Sequence, residues 1–330
     1  MRKALLQFIA CSAVLLAAPQ WVAAAQTGIG RLVVFGDSLS DPGNAFVLLG
    51  AASTPPDYSV DPFLVPTQPY ARGGQHFSNG ATWVEQMARP LGLANSVRPA
   101  FRSASGATNF AIGGARARPD GSGTDLGSQV QAFLNAAGNA APSDALYIVE
   151  IGGNDLRDAL AAFVGTLQSG GTQAQAEAAA GAVITDAVAA IGAQMQTLVG
   201  AGARRFMVWK VPDIGATPAI LGLGALNPAI PGVADSFTQS FNAALEANVL
   251  TPLEAAGLGV VRLDVYSKLN QVIANGAAFG LSNVTAACIT PNVAPFQCHV
   301  PDDYLFWDGI HPTAAGHAII AQYAAYVLTH

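Results

Sequence analysis

Three short stretches carry residue types that together suit attack on a carbonyl carbon. Gly36-Asp37-Ser38-Leu39-Ser40-Asp41 places a hydroxyl at a tight turn, where a flanking glycine allows the backbone to expose it. Asp308-Gly309-Ile310-His311-Pro312-Thr313 puts an acid and an imidazole three residues apart, close enough to meet around one turn. Asp308 can then hold Nδ1–H of His311 and leave Nε2 free as a base. Gly152-Gly153-Asn154-Asp155 offers a side-chain amide that can donate to an anion, with two glycines that let a ligand approach the backbone. Each stretch alone reads equally well as an ordinary polar turn. Together they supply a nucleophile, its base, the group that orients the base, and a donor for a developing oxyanion. The Gly-x-Ser-x-Gly nucleophile elbow is absent, because Leu39 and Ser40 follow Ser38.

These residues need elements to position them. β-rich runs at 31–35, 145–151, 205–211 and 259–265, with a weaker fifth at 108–112, alternate with helical patterns. Residues 172–199 are Ala-rich and periodic. After Asp235, Ser236 and Gln239 have capping-box spacing ahead of Phe237, Phe241 and Leu245 on one face. A last helix follows Pro312 and Thr313, with Ile319, Ile320, Tyr323 and Val327 as its apolar side. Strands alternating with helices imply a parallel sheet covered on both faces, and such sheets bind ligands beyond the carboxyl ends of their strands. The Pro/Gly-rich stretches 51–74, 214–232 and 281–301 read as long loops. Asp37 and Asp41 are expected to cap turns around Ser38. His76 and His317 are expected to be structural and Trp83 and Trp307 to pack, with the pocket wall as the alternative for Trp307, which stands beside Asp308. The Ala-rich helix, interrupted by Asp186, Gln194 and Gln196, reads as a helix covering the sheet.

At 330 residues and 51% hydrophobic, the chain can build a full core. Its formal charge of −6, from 15 basic and 21 acidic residues, argues against a nucleic-acid partner, which needs a basic face. Zinc-type cysteine pairs and a phosphate loop ending in Lys-Ser or Lys-Thr are missing. Arg2 and Lys3, an apolar run from Ala4 to Ala18 and the small residues Ala23-Ala24-Ala25 read as a signal peptide over residues 1–25, leaving 26–330 as one domain exported to the periplasm or the medium. The run is short for a membrane span, and no transmembrane anchor is expected after cleavage. Export leaves Cys288 and Cys298 as the pair expected to form a disulfide. A metal site there would have His299 as its one additional ligand.

The order and content of these blocks resemble the GDSL esterase/lipase family, also called SGNH hydrolases. Its first block is matched by Phe35-Gly36-Asp37-Ser38-Leu39-Ser40-Asp41 with Gly43-Asn44, and its second by Asn109-Phe110-Ala111-Ile112-Gly113-Gly114-Ala115. Its third is matched by Gly152-Gly153-Asn154-Asp155 and its last by Asp308 through His311. Phe77-Ser78-Asn79-Gly80, with Trp83 and Glu85, resembles the lipase-like branch. The resemblance implies an α/β fold, a three-layer α/β/α sandwich with a parallel sheet of about five strands, flavodoxin-like in style. It implies Ser38 as nucleophile, His311 as base and then acid, and Asp308 as its orienter. The oxyanion hole would comprise the Ser38 and Gly114 backbone N–H groups and the Asn154 side chain. Gly114 rather than Gly113 follows from counting five residues on from Asn109. Neither a metal nor an organic cofactor is required, and activity should rise with pH as the imidazole loses its proton.

The expected substrates are acyl esters: fatty acyl esters, lipids or lysophospholipids. The same constellation also removes O-acetyl groups from carbohydrates, and a non-catalytic lipid- or glycan-binding module on the same fold is the alternative of a different class. Some relatives carry a C-terminal β-barrel; with one helix after the histidine block, none is expected here.

Overall fold

The computed structural model describes residues 28–52, 61–102 and 105–330. The signal-peptide reading of residues 1–25 therefore lies outside the described residues.

Four parallel strands form the sheet in the order β1 (Arg31–Gly36), β2 (Ala145–Glu150), β3 (Arg205–Lys210) and β4 (Gly259–Asp264). β1 and β2 read as unbroken apolar runs because both faces of a parallel sheet are covered. Residues 108–112 lie along the free edge of β1, where the expected fifth strand belongs. Val34 N–H donates to the Thr108 carbonyl, while Phe110 and Ile112 N–H donate to the carbonyls of Val34 and Gly36. Only the Val34–Asn109 pair forms a regular bridge there. The Gly36 N–H that would continue the ladder donates to Gln129 Oε1 at 2.9 Å instead, which leaves a strand-like edge. Counting that edge, the order is the flavodoxin-like 2-1-3-4-5.

Ten α-helices accompany the sheet among the described residues: α1 (Asn44–Leu49), α2 (Trp83–Ala88), α3 (Leu126–Ala136), α4 (Gly153–Gln168), α5 (Gln173–Ala201), α6 (Pro218–Leu226), α7 (Ile230–Leu245), α8 (Thr251–Ala255), α9 (Val265–Ala274) and α10 (Ala314–Thr329). Alternate strand residues point to opposite sides. Val33, Phe35, Tyr147, Val149, Phe206 and Val208 meet α3, α4, α5 and α7 in one core. Leu32, Val34, Leu146, Ile148, Met207 and Trp209 meet α2 and α10 in the other. The fold is the three-layer α/β/α sandwich expected.

α5 is long and apolar enough to cross a membrane. However, its stripe from Ala176 through Ile184 and Ile191 to Leu198 is buried in the first core, so it covers the sheet. Its start is fixed by Thr172, whose side chain exchanges capping-box bonds with Gln175.

Two local expectations are corrected. Ser236 does not begin a helix, because α7 already starts at Ile230 with Pro231 in its first turn, and the Ser236 hydroxyl donates back to the Gly232 carbonyl. Phe241 and Leu245 are buried as expected, with Phe237 packed against the same core. Residues 214–232 are helical rather than a long loop. Pro218 starts α6, and Gly224, which weakens a helix in isolation, stands where a Cβ would lie 2.7 Å from Pro231. Within 281–301 a short strand β5 (Asn283–Ala287) pairs in parallel with β6 (Tyr304–Phe306).

Candidate active site

The sheet register sets the site. Gly36 pairs with Glu150 at the carboxyl edge, so the chains leaving β1 and β2 emerge side by side. One leads to Asp37-Ser38, the other to Gly152 and the start of α4. Gly36 must lack a side chain, since a Cβ would strike the Glu150 backbone and lie 2.9 Å from its Oε2.

The third stretch arrives on a hairpin-like excursion after β6. Trp307 N–H donates to the His311 carbonyl at 2.8 Å, and Thr313 N–H to the Leu305 carbonyl at 2.9 Å. The tip between them is tethered: Gly309 N–H donates to Leu64, and Ala219 of α6 donates to Gly309. Thr313 then caps α10. Residues 77–80 brace the excursion from below. Ser78 donates to the Pro312 carbonyl and Asn79 accepts from Ala314 N–H, while the Phe77 ring lies 5.3 Å from the His311 ring.

Ser38, His311 and Asp308 come together across 273 and 270 residues of chain. His311 Nε2 is 2.8 Å from Ser38 Oγ, and His311 Nδ1 is 2.7 Å from Asp308 Oδ2. Asp308 is fully buried and His311 nearly so, whereas Ser38 keeps 8% of its surface. Every remaining acceptor position of Asp308 is supplied. Its Oδ1 accepts from the N–H groups of Ile310 and His311, and its Oδ2 from the Tyr70 hydroxyl at 3.0 Å. A buried carboxylate held by this many donors fixes the imidazole's orientation and tautomer.

Asn154 lies in the first turn of α4 and lines the same cleft as Ser38 and His311. Its Nδ2 donates to the Ala115 carbonyl at 3.0 Å and has a long 3.4 Å contact with Asp37 Oδ2. Gly113 and Gly114 occupy the centre of a turn closed by Ala115 N–H on Ile112. Gly114 sits at φ +81°, a conformation that favours glycine. Gly113 N–H is already taken by Asp41 Oδ2 at 2.8 Å, which leaves Gly114 as the residue of the pair with an uncommitted amide.

Asp41 does more than cap a turn. Its carboxylate accepts from Gly43, Asn44, Ala45 and Gly113, tying the first sequence block to the second. Asn44 completes the tie by donating to the carbonyls of Asn109 and Ala111. Asp37 accepts from Leu39 N–H, as a turn cap should.

Asp37 also faces Glu150, which the sequence did not mark. Burial pushes Asp37 up to about 6 and, together with repulsion from Asp37, Glu150 well above its usual range. With both carboxyls buried, two negative charges side by side are disfavoured. Tyr70 and Arg157 were equally invisible, since each reaches the site through tertiary packing. His76 and His317 are structural as expected. His76 pairs with Glu85 at 2.8 Å, and against the cost of its burial this partner raises its pKa. His317 accepts from Trp83 N–H, and burial lowers it to about 3. Trp307 packs as expected, and the alternative of a pocket wall falls away. It packs edge-on against Tyr70, and Trp209 lines the cleft in its place. Cys288 and Cys298 form a disulfide in the same small cluster as Tyr70 and Trp307.

The cleft beside Ser38 encloses about 600 Å³ of space, including its open mouth. Its apolar walls are Leu39, Ile151, Trp209, Val211, Ile214 and Ile220, so Ser38 and His311 stand beside an apolar slot.

A chain named Esterase EstA from Pseudomonas aeruginosa is 32% identical over 345 residues, covering 94% of this chain and 48% of that protein. Lipase 1 from Photorhabdus luminescens is 26% identical over 362 residues, covering 90% and 50%. A GDSL esterase/lipase from Arabidopsis thaliana is 29% identical over 334 residues, covering 91% and 88%. The chain thus spans about half the length of the first two relatives and most of the third. The model of the GDSL-like lipase/acylhydrolase family matches residues 32–324, and the chain belongs to that family.

Proposed function

We propose that the chain is a serine ester hydrolase that works through an acyl-enzyme on Ser38 and prefers apolar acyl groups. The observation that carries this reading is the continuous hydrogen-bonded chain from Ser38 Oγ through His311 to Asp308, beside an apolar cleft.

His311 Nε2 takes the Ser38 proton as Oγ attacks the ester carbonyl. Asp308 stabilises the imidazolium that forms and keeps its own charge. The negative charge on the tetrahedral oxygen is received by the Ser38 and Gly114 N–H groups and by Asn154 Nδ2. His311 then gives its proton to the leaving alcohol, which departs. Water, deprotonated by the same imidazole, attacks the acyl-enzyme and releases the acid. No step calls for a metal or an organic cofactor. Leu39, Ile151, Trp209, Val211, Ile214 and Ile220 favour a fatty acyl chain over the small, polar surroundings of a sugar acetate.

Export of the chain belongs to the same reading. The basic start, apolar run and alanine cluster of residues 1–25 support it, as does a disulfide suited to an oxidising compartment.

The test is hydrolysis of p-nitrophenyl esters from acetate to palmitate, with lysophosphatidylcholine and acetylated xylan alongside, by the wild type and Ser38→Ala. The expected result is a preference for acyl chains longer than acetate, abolished by Ser38→Ala. Activity confined to acetylated xylan would favour the carbohydrate deacetylase. Binding of lipid or glycan without turnover of any ester would favour the binding module.

A further inference from the structure

Arg157 stands one turn beyond Asn154 on α4 and lines the cleft that holds Ser38 and His311. It also lines an adjoining cleft between α4 and α6, which shares Ile220 with the first. Its surroundings are unusual for a largely buried arginine, because the nearby acids are all engaged elsewhere. Asp158 is held by Arg116 at 2.6 Å and by Arg118. Asp155 accepts from the Ala117 amide at 2.8 Å and faces Arg118 at 3.4 Å. Asp308 is enclosed by Tyr70, His311 and two backbone amides. Asp61 influences Arg157 only electrostatically and turns its carboxylate to the amides of Phe63 and Val65.

Among the described residues, Arg157 forms no ion pair. Its one polar contact is NH1 to Asn154 Oδ1, at the outer limit of 3.5 Å. Burial disfavours its charge, which the distant carboxylates offset only in part. A desolvated guanidinium without a carboxylate, on a residue that lines the cavity where an ester must lie, is built to receive an anion. The adjoining cleft adds Leu160, Val164 and Leu223 as apolar surface beside the cation.

We infer that Arg157 binds an anionic group of the substrate, a phosphate or a carboxylate carried near the scissile ester, and so selects anionic over neutral esters. The inference rests on the ester-hydrolase reading and narrows it to amphiphilic esters with an acyl chain and a nearby negative charge.

Two matched pairs of substrates test it. In 1-decanoylglycerol and 1-decanoylglycerol 3-phosphate the anion lies on the alcohol side. In p-nitrophenyl butyrate and p-nitrophenyl hemisuccinate it lies on the acyl side. The wild type should prefer the anionic member of one pair, which also tells on which side the group sits. Arg157→Gln should reduce the ratio of anionic to neutral kcat/KM in that pair by about 10–100-fold, mainly through KM, and Arg157→Lys should restore part of it. Equal losses on both members would mean that Arg157 only steadies Asn154, and would overturn the inference. So would a wild-type preference for the neutral ester in both pairs, a result that needs no variant to fold. A wild type active on the neutral esters keeps the hydrolase reading whatever the ratios. Inertness on all four would remove that reading and this inference with it.

Discussion

Ser38, His311 and Asp308 owe their geometry to groups that never touch the substrate. Tyr70 is the clearest case, because its hydroxyl donates to the carboxylate that orients the base. Tyr70→Phe keeps the ring against Trp307 and removes one buried hydrogen bond to a charged acceptor. We expect kcat to fall about 10-fold with little change in KM, measured by steady-state kinetics on a p-nitrophenyl ester. In the proposed mechanism Asn154 donates to the oxyanion itself, so Asn154→Ala should lower kcat about 100–1000-fold on the same substrate. Loss of less than 10-fold would place the principal oxyanion donors elsewhere. Ser38, His311, Asp308 and Asn154 stood out in sequence because their residue types recur at short local spacings, such as Asp308 to His311. Tyr70, Glu150 and Arg157 did not. Nothing near them in sequence reveals that folding carries Tyr70 to Asp308, or sets Glu150 beside Asp37 across two strands.

At the level of elements, the loops around the site are held by side chains acting as surrogate backbone. Asp41 alone satisfies four amides from two distant sequence blocks, in a fully buried position. Asp41→Ala would strand those donors, and the expected cost is about 3–5 kcal/mol, read as a lower midpoint in chemical denaturation. Strands β1 to β3 were readable because a doubly covered parallel strand is largely apolar, and the half-exposed edge strand β4 from Val260, Val261 and Leu263. Helices α5 and α10 were readable because Thr172 and Thr313 signal their starts. Residues 214–232 were misread for a physical reason: prolines and glycines that usually break helices here begin two of them and allow α6 to pack closely on Pro231. The disulfide closes its short loop beside Tyr70 and Trp307, so Cys288→Ser with Cys298→Ser should lower stability by about 2–3 kcal/mol.

For the molecule as a whole, the buried carboxyls under the site set a pH dependence of folding. Asp37 and Asp155 are raised by burial to about 6, and Glu150 further above its usual range. Because these groups hold protons in the folded state that the unfolded chain has already released, their contribution to stability falls as pH rises from the ordinary carboxyl range, beginning near 4, through about 6. Glu150→Gln removes the most strongly raised of them. Thermal unfolding should show the variant more stable than the wild type at pH 7, by about 2–5 °C, and the two alike at pH 4. An equal offset at both values would mean that Glu150 does not titrate in this way. A cost of this kind is retained where it serves a site, and here the pair lies directly behind Ser38 and Asn154. The central claim is that Ser38 is the activated nucleophile. Treatment of the protein with a fluorophosphonate, followed by intact-mass measurement and peptide mapping, tests it most directly. A single adduct on Ser38, lost in His311→Ala, is the expected result. An adduct on Ser40 or any other residue, with Ser38 unlabelled, would contradict it.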